Sequence, residues 1–157
     1  MNASVIDKLR ERIGKEEYTE VYEIEKGMIS RFAKAIGDPN PLWQDAEYAR
    51  KYGYKDVAAI PALILALGWD EHGAEFSPYT PYDSGMHGSS EAEIYEDIKP
   101  GDVITVKCKF VDVVGRKGKM FGDMAFLTFE RVYTNQEGQV VAKCRQTQIS
   151  FPAEGGK

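Results

Sequence analysis

Histidine and cysteine are both scarce in this chain, with two of each among 157 residues. Cys108 and Cys144 lie far apart in strand-like segments with apolar neighbours. That placement reads as a pair of buried reduced thiols and not as a disulfide framework. No Cys/His spacing suits a metal, so no metal cofactor is expected. No apolar run is long enough to cross a bilayer and no signal-peptide pattern opens the chain, so a cytoplasmic protein without a membrane partner is expected. Positive charge is also short, with 20 Lys and Arg against 25 Asp and Glu and a net charge of −5. Nucleic acid is therefore not an expected partner, because phosphate binding needs a basic footprint. Repeats, low-complexity tracts and linkers are missing too, and residues 1–157 read as a single domain with its core at about 18–151.

What is present divides the chain in two. The N-terminal half reads as helical and irregular. Ser4 can cap a first amphipathic helix whose apolar face is Val5, Ile6, Leu9 and Ile13. Tyr18 to Glu25 alternates weakly, as a short strand would. Met28, Ile29, Phe32, Ala33 and Ile36 recur at helical spacing over 27–36. Asp45 is a good N-cap for a short helix over 46–51. The run Ala62-Leu63-Ile64-Leu65-Ala66-Leu67-Gly68-Trp69 is apolar on every side, which predicts an enclosed helix. The C-terminal half reads as antiparallel strands over 91–98, 103–114, 124–133 and 140–151, with turns at Pro100-Gly101-Asp102 and Asn135-Gln136-Glu137-Gly138. Long antiparallel strands beside a highly apolar helix predict an α+β fold in which a curled sheet wraps that helix. The third of these strands carries Ala125, Leu127 and Phe129 on one face and Met124, Phe126 and Val132 on the other. Apolar residues on both faces predict that the outer face is covered as well, by another layer or another subunit, of which a subunit is the expectation.

Two further features stand out. Residues 71–86 hold Phe76, Tyr79 and Tyr82 among glycines and prolines, too aromatic for a plain linker and a candidate lid or pocket wall for an apolar ligand, or equally a partner contact. Arg116, Lys117 and Lys119 form a basic cluster in a glycine-flanked loop. It is a candidate site for a phosphorylated cofactor, set against a solvated hairpin tip.

The most informative stretch is Gly37-Asp38-Pro39-Asn40-Pro41-Leu42-Trp43, where a helical pattern stops and a carboxylate and an amide follow in a turn stiffened by prolines. It resembles the signature G-D-x-N-P-x-H of the MaoC-like family of (R)-specific enoyl-thioester hydratases and 3-hydroxyacyl dehydratases. His87-Gly88 with Glu91, then Lys99-Pro100-Gly101-Asp102-Val103 and Thr134 to Gly138, continue the resemblance, which covers roughly 18–151. The fold it implies is the hot-dog fold. The activity it implies is addition or removal of water at an acyl thioester of CoA or acyl carrier protein, without a cofactor. In that family the Asp and the His are the catalytic pair. Asp38 and Asn40 stand at signature positions, but the histidine position is Trp43, as in N-terminal-type MaoC dehydratase domains, where an aromatic often replaces it.

Hydration needs a group that deprotonates water, a proton for Cα, and donors for the enolate-like oxygen. An indole offers one N–H and no base. His72 follows the apolar run and His87 precedes the strand expected at 91–98, and neither sits at the signature spacing. The expected function is thus the non-catalytic, acyl-binding subunit of a heteromeric hydratase or dehydratase, paired as a heterodimer or heterotetramer with a MaoC-like chain that carries the intact pair. Trp43, Leu63, Leu67, Phe76, Tyr79 and Tyr82 are its candidate acyl contacts. The alternatives are a homodimeric dehydratase that relies on Asp38 with water or His87, and an acyl-CoA-binding protein without turnover.

Overall fold

The computed structural model describes residues 3–68 and 82–153. Trp69, His72, Phe76 and Tyr79 lie outside the described residues, so their expected roles stay as stated. The described elements are α1 (Ala3–Arg10), β1 (Glu16–Glu23), α2 (Lys26–Ile36), a 3₁₀ turn (Pro41–Trp43), α3 (Ala46–Lys51), a second 3₁₀ segment (Pro61–Ala66), β2 (Ser84–Ile94), β3 (Val103–Gly118), β4 (Gly122–Thr134) and β5 (Val140–Phe151). The strands form a five-stranded sheet in the order β1-β3-β4-β5-β2, with every neighbouring pair antiparallel.

Strict alternation explains the central strands. On β4, Ala125, Leu127, Phe129, Arg131 and Tyr133 are buried, while the residues between them are half-exposed. Among the described residues, the helices and 3₁₀ segments pack on that buried face. Ile29 of α2, with Leu63 and Ile64 of the second 3₁₀ segment, joins Ile104, Val106, Tyr133 and Cys144 in one apolar cluster. Ile6 and Leu9 of α1 join Cys108, Phe110, Leu127 and Phe129 in another. Cys108 and Cys144 are free and buried, as the sequence predicts, and burial pushes both thiols up.

Several expectations need correction. Ser4 lies inside α1 and is not its N-cap, because the helix begins at Ala3. The apolar run is a 3₁₀ segment over Pro61–Ala66 and is not enclosed on every side: Leu63, Ile64 and Leu67 are buried while Leu65 is 38 % exposed. Pro61 supplies a preset φ at its start, and Gly68 turns the chain with φ 83. β2 starts earlier than the expected 91 and ends before 98. Its first residues, Ser84 to Ser90, have no apolar alternation to read, and pairing with β5 makes them a strand. His87 therefore sits within β2, not before it. Beyond Ile94 the chain leaves the ladder, and the N–H groups of Tyr95 and Glu96 both donate to the Val141 carbonyl. β1 runs two residues earlier than expected. β3 extends to Gly118, so Arg116 and Lys117 are strand residues and not loop residues.

Candidate functional site

The signature segment is built by one run of local hydrogen bonds. Helix α2 ends where Gly37 adopts φ 72, a conformation glycine takes without strain. The N–H of Asp38 closes back on the Ala33 carbonyl at 2.9 Å. Asp38 then accepts twice: Oδ1 from the backbone N–H of Asn40 at 3.0 Å, and Oδ2 from the indole N–H of Trp43 at 2.9 Å. Asn40 caps the 3₁₀ turn in the same way, its Oδ1 accepting from the Leu42 N–H at 3.1 Å. Asp45 caps α3 through the N–H groups of Glu47 and Tyr48. The Ala58 N–H donates to the Leu42 carbonyl at 3.0 Å and ties this loop to the chain entering the 3₁₀ segment.

Chemically, this is a carboxylate with both oxygens engaged by donors that cannot take a proton. An indole N–H donates and does not accept. Trp43 is only half-buried, with its ring packed against the cluster that contains Leu63 and Leu67. The candidate acyl contacts Trp43, Leu63 and Leu67 thus come together in one cluster. Tyr82 does not join them and packs on the other cluster, with α1, β3 and β4.

Among the described residues no hydrogen bond joins His87 to Asp38. The partners of His87 are Gln146, with Nε2 at 2.9 Å from His87 Nδ1, and Ser90, with Oγ at 3.4 Å from His87 Nε2. The Oε1 of Gln146 accepts from Arg131 at 3.1 Å, so the amide nitrogen faces His87, and the ring accepts at Nδ1 and carries its proton on Nε2. The nitrogen facing Ser90 is the protonated one, so the pair cannot activate a serine nucleophile.

Sequence reasoning missed the residue at the root of that chain. Arg131 is fully buried; its Nε–H donates to the Tyr18 hydroxyl at 2.7 Å, which donates to the Gly68 carbonyl at 2.7 Å. The Gly68 N–H donates in turn to the Tyr22 hydroxyl at 3.0 Å. The network pins the backbone where the apolar segment ends. Burial raises the Tyr18 and Tyr133 phenols well above their ordinary value of 10.0. Each is neutral in the folded chain where the unfolded chain would ionise, so stability is intact below pH 10.0 and falls as the pH rises beyond it. Denaturant titrations at rising alkaline pH are expected to show that decline, shallower in Tyr18→Phe.

The basic cluster does not converge. Arg116 and Lys117 are consecutive on β3 and point to opposite faces. Arg116 lies over the Phe126 ring at 5.1 Å, Lys117 pairs in register with Asp123, and Lys119 is exposed in the following turn. A cleft of about 610 Å³ that the sequence did not reveal lies between residues 53–58 and 96–100, with Tyr54, Val57, Ala58, Ile98 and Pro100 in its walls.

Residues 11–144 match the family model described as the FAS1-like, dehydratase domain region. The chain belongs to the FAS1-like dehydratase domain family. Among curated relatives of this FAS1-like domain, a UPF0336 protein of Saccharopolyspora erythraea is 31% identical over 135 residues, covering 84% of this chain and 83% of the relative. A probable enoyl-CoA hydratase alpha subunit of Thermomonospora curvata is 29% identical over 139 residues, covering 79% of this chain but 44% of the relative. The ChsH1-ChsH2 complex from Mycobacterium tuberculosis supplies a chain of the same fold, with TM-score 0.76, 22% identity, and coverage of 98% of this chain and 97% of that one. The HadBC (3R-hydroxyacyl-ACP dehydratase) complex from Mycobacterium tuberculosis gives TM-score 0.70 at 17% identity, covering 85% and 92% of the two chains. The fold is the hot-dog fold, and the MaoC-like resemblance holds.

Proposed function

We propose that this FAS1-like domain is the non-catalytic, acyl-binding subunit of a heteromeric enoyl-thioester hydratase or 3-hydroxyacyl dehydratase. The observation that carries the reading is the hydrogen bond from the Trp43 indole to Asp38. At the position where the family signature has a proton-transferring imidazole, this chain has an aromatic donor that locks the carboxylate into a turn. The scaffold is kept and the acid/base pair is not. A partner of the same fold, with Asp and His intact, would do the proton work on a thioester of CoA or acyl carrier protein, with no further cofactor. Trp43, Leu63 and Leu67, together with Phe76, Tyr79 and Tyr82, would contact the acyl group.

Two observations support a partner. One relative is named as an alpha subunit, and two structures of the same fold are complexes of differently named chains. Among the described residues, β2 is an edge strand, paired on one side only with β5 and exposed along nearly its whole length. An open edge of that kind offers a ladder of unpaired N–H and C=O groups to another strand.

The test is co-expression with a MaoC-like chain bearing the intact G-D-x-N-P-x-H signature. The two are expected to co-purify and to hydrate an enoyl-CoA. Changing the partner's signature histidine to alanine should lower the rate by about 10²- to 10⁴-fold. Asp38→Ala in this chain should change it by no more than about twofold. A loss from Asp38→Ala as large as that from the partner's histidine would refute the assignment.

A further inference from the structure

The sheet has a second open surface, separate from the β2 edge. The described helices and 3₁₀ segments join apolar clusters of the buried face only, which leaves the opposite face of β3, β4, β5 and β2 uncovered among the described residues. The register places its side chains in rows across the strands. One row is Val114, Phe126, Ile149 and Met86, an apolar band in which Val114 is 38% and Met86 43% exposed. The next is Asp112, Thr128, Thr147 and Ser89, and beyond it come Lys109, Glu130, Arg145 and Glu91, then Lys107, Val132, Lys143 and Glu93.

We propose that this outer face docks a second copy of the chain, through a two-fold axis parallel to the strands and between β4 and β5. Such an axis lays β3 of one copy over β2 of the other and β4 over β5, so each row meets itself reversed. The row Lys109-Glu130-Arg145-Glu91 then sets Lys109 opposite Glu91, and Glu130 opposite Arg145, with opposite charges at all its positions. The row at Lys107 sets Lys107 opposite Glu93 and Val132 opposite Lys143, so only its outer positions match in charge. The apolar band sets Phe126, over whose ring the Arg116 guanidinium of its own chain lies, against Ile149, and Val114 against Met86. Facing sheets pack with their strands inclined by about 30°, so the match is tightest near the axis, where Phe126 and Ile149 sit.

Self-complementarity of this kind is the requirement for an isologous dimer, and the Glu130–Arg145 ion pair, 2.8 Å within one sheet, becomes a four-charge cluster across the axis. Four strands about 4.8 Å apart and four rows about 6.8 Å apart span roughly 500 Å² on each copy. The total of about 1,000 Å² reaches the lower bound of a specific interface. Because the β2 edge is a different surface, this docking stands or falls independently of the heteromeric reading.

Sedimentation of the full chain, alone and in complex with a MaoC-like partner, tests the proposal. Phe126→Lys is expected to halve the particle mass in either setting while the circular dichroism spectrum and co-elution with the partner are kept. Lys109→Glu and Glu91→Lys are each expected to weaken self-association on the order of tenfold, and the double variant to restore it. Restoration by the double variant is meaningful even if Phe126→Lys fails to fold. An unchanged mass in a folded Phe126→Lys, or a double variant that associates no better than the single ones, would overturn the proposal. If no partner co-elutes yet Phe126→Lys still halves the mass, the heteromeric reading fails and this one stands.

Discussion

Arg131→Ala should destabilise the chain by about 3–5 kcal/mol, the largest loss expected from any single substitution outside the apolar core. The side chain is 0% exposed and holds the Tyr18 hydroxyl and the Gln146 amide oxygen from one guanidinium. Truncation removes the volume of a long side chain and strands the Gln146 oxygen in an apolar setting. It also frees the Tyr18–Gly68 link that anchors the end of the 3₁₀ segment. Arg131→Lys should recover little of the loss, because an ammonium cannot span two partners held in the fixed fork of a guanidinium. Urea titrations of the variants measure the difference. A loss below about 1 kcal/mol would show that the network is not a structural anchor.

Trp43→His is the second prediction with a large effect. The indole nitrogen already sits 2.9 Å from Asp38 Oδ2, so an imidazole at this position completes the signature beside a carboxylate that is already oriented. Supplying the missing acid/base group is expected to raise hydration of a short enoyl-CoA by about 10²-fold over the unsubstituted chain. The change sacrifices packing, because Trp43 lies against the cluster with Leu63 and Leu67, so a lower melting temperature should accompany it. The rise should be lost again in Trp43→His combined with Asp38→Asn. A folded Trp43→His with no gain would show that the missing imidazole is not what keeps the chain from turning over substrate.

Much of the architecture was legible because periodicity is a local property. The helix over 27–36, the helix over 46–51 and the strand over 140–151 each follow from apolar spacing and punctuation that the sequence displays openly. β2 was mislocated because Gly85, Gly88, Ser89 and Ser90 have no alternation, and only the β5 ladder defines them. The type of helix at Pro61–Ala66 was equally hidden, since an apolar run specifies burial more firmly than hydrogen-bond pattern. At the site, the proline-stiffened turn at Asp38 and Asn40 was readable, and both side chains accept local backbone N–H bonds within it. The indole-to-carboxylate bond was not readable, because it depends on the 3₁₀ turn that brings residue 43 back over residue 38. Arg131 did leave a signal: it continues the face of Ala125, Leu127 and Phe129 at the strand period of two. A charge on an otherwise apolar face implies a buried network, although which tyrosine and which amide complete it follows only from the fold.

The central claim is that Asp38 and Trp43 form a structural lock and not a catalytic pair. The most direct measurement is the decay of enoyl-thioester absorbance in a solution of the purified chain alone, at neutral pH and with no partner present. The account predicts a rate indistinguishable from that of buffer. Saturable turnover by the lone chain within the ordinary enzyme range of roughly 1–10³ s⁻¹ would contradict it.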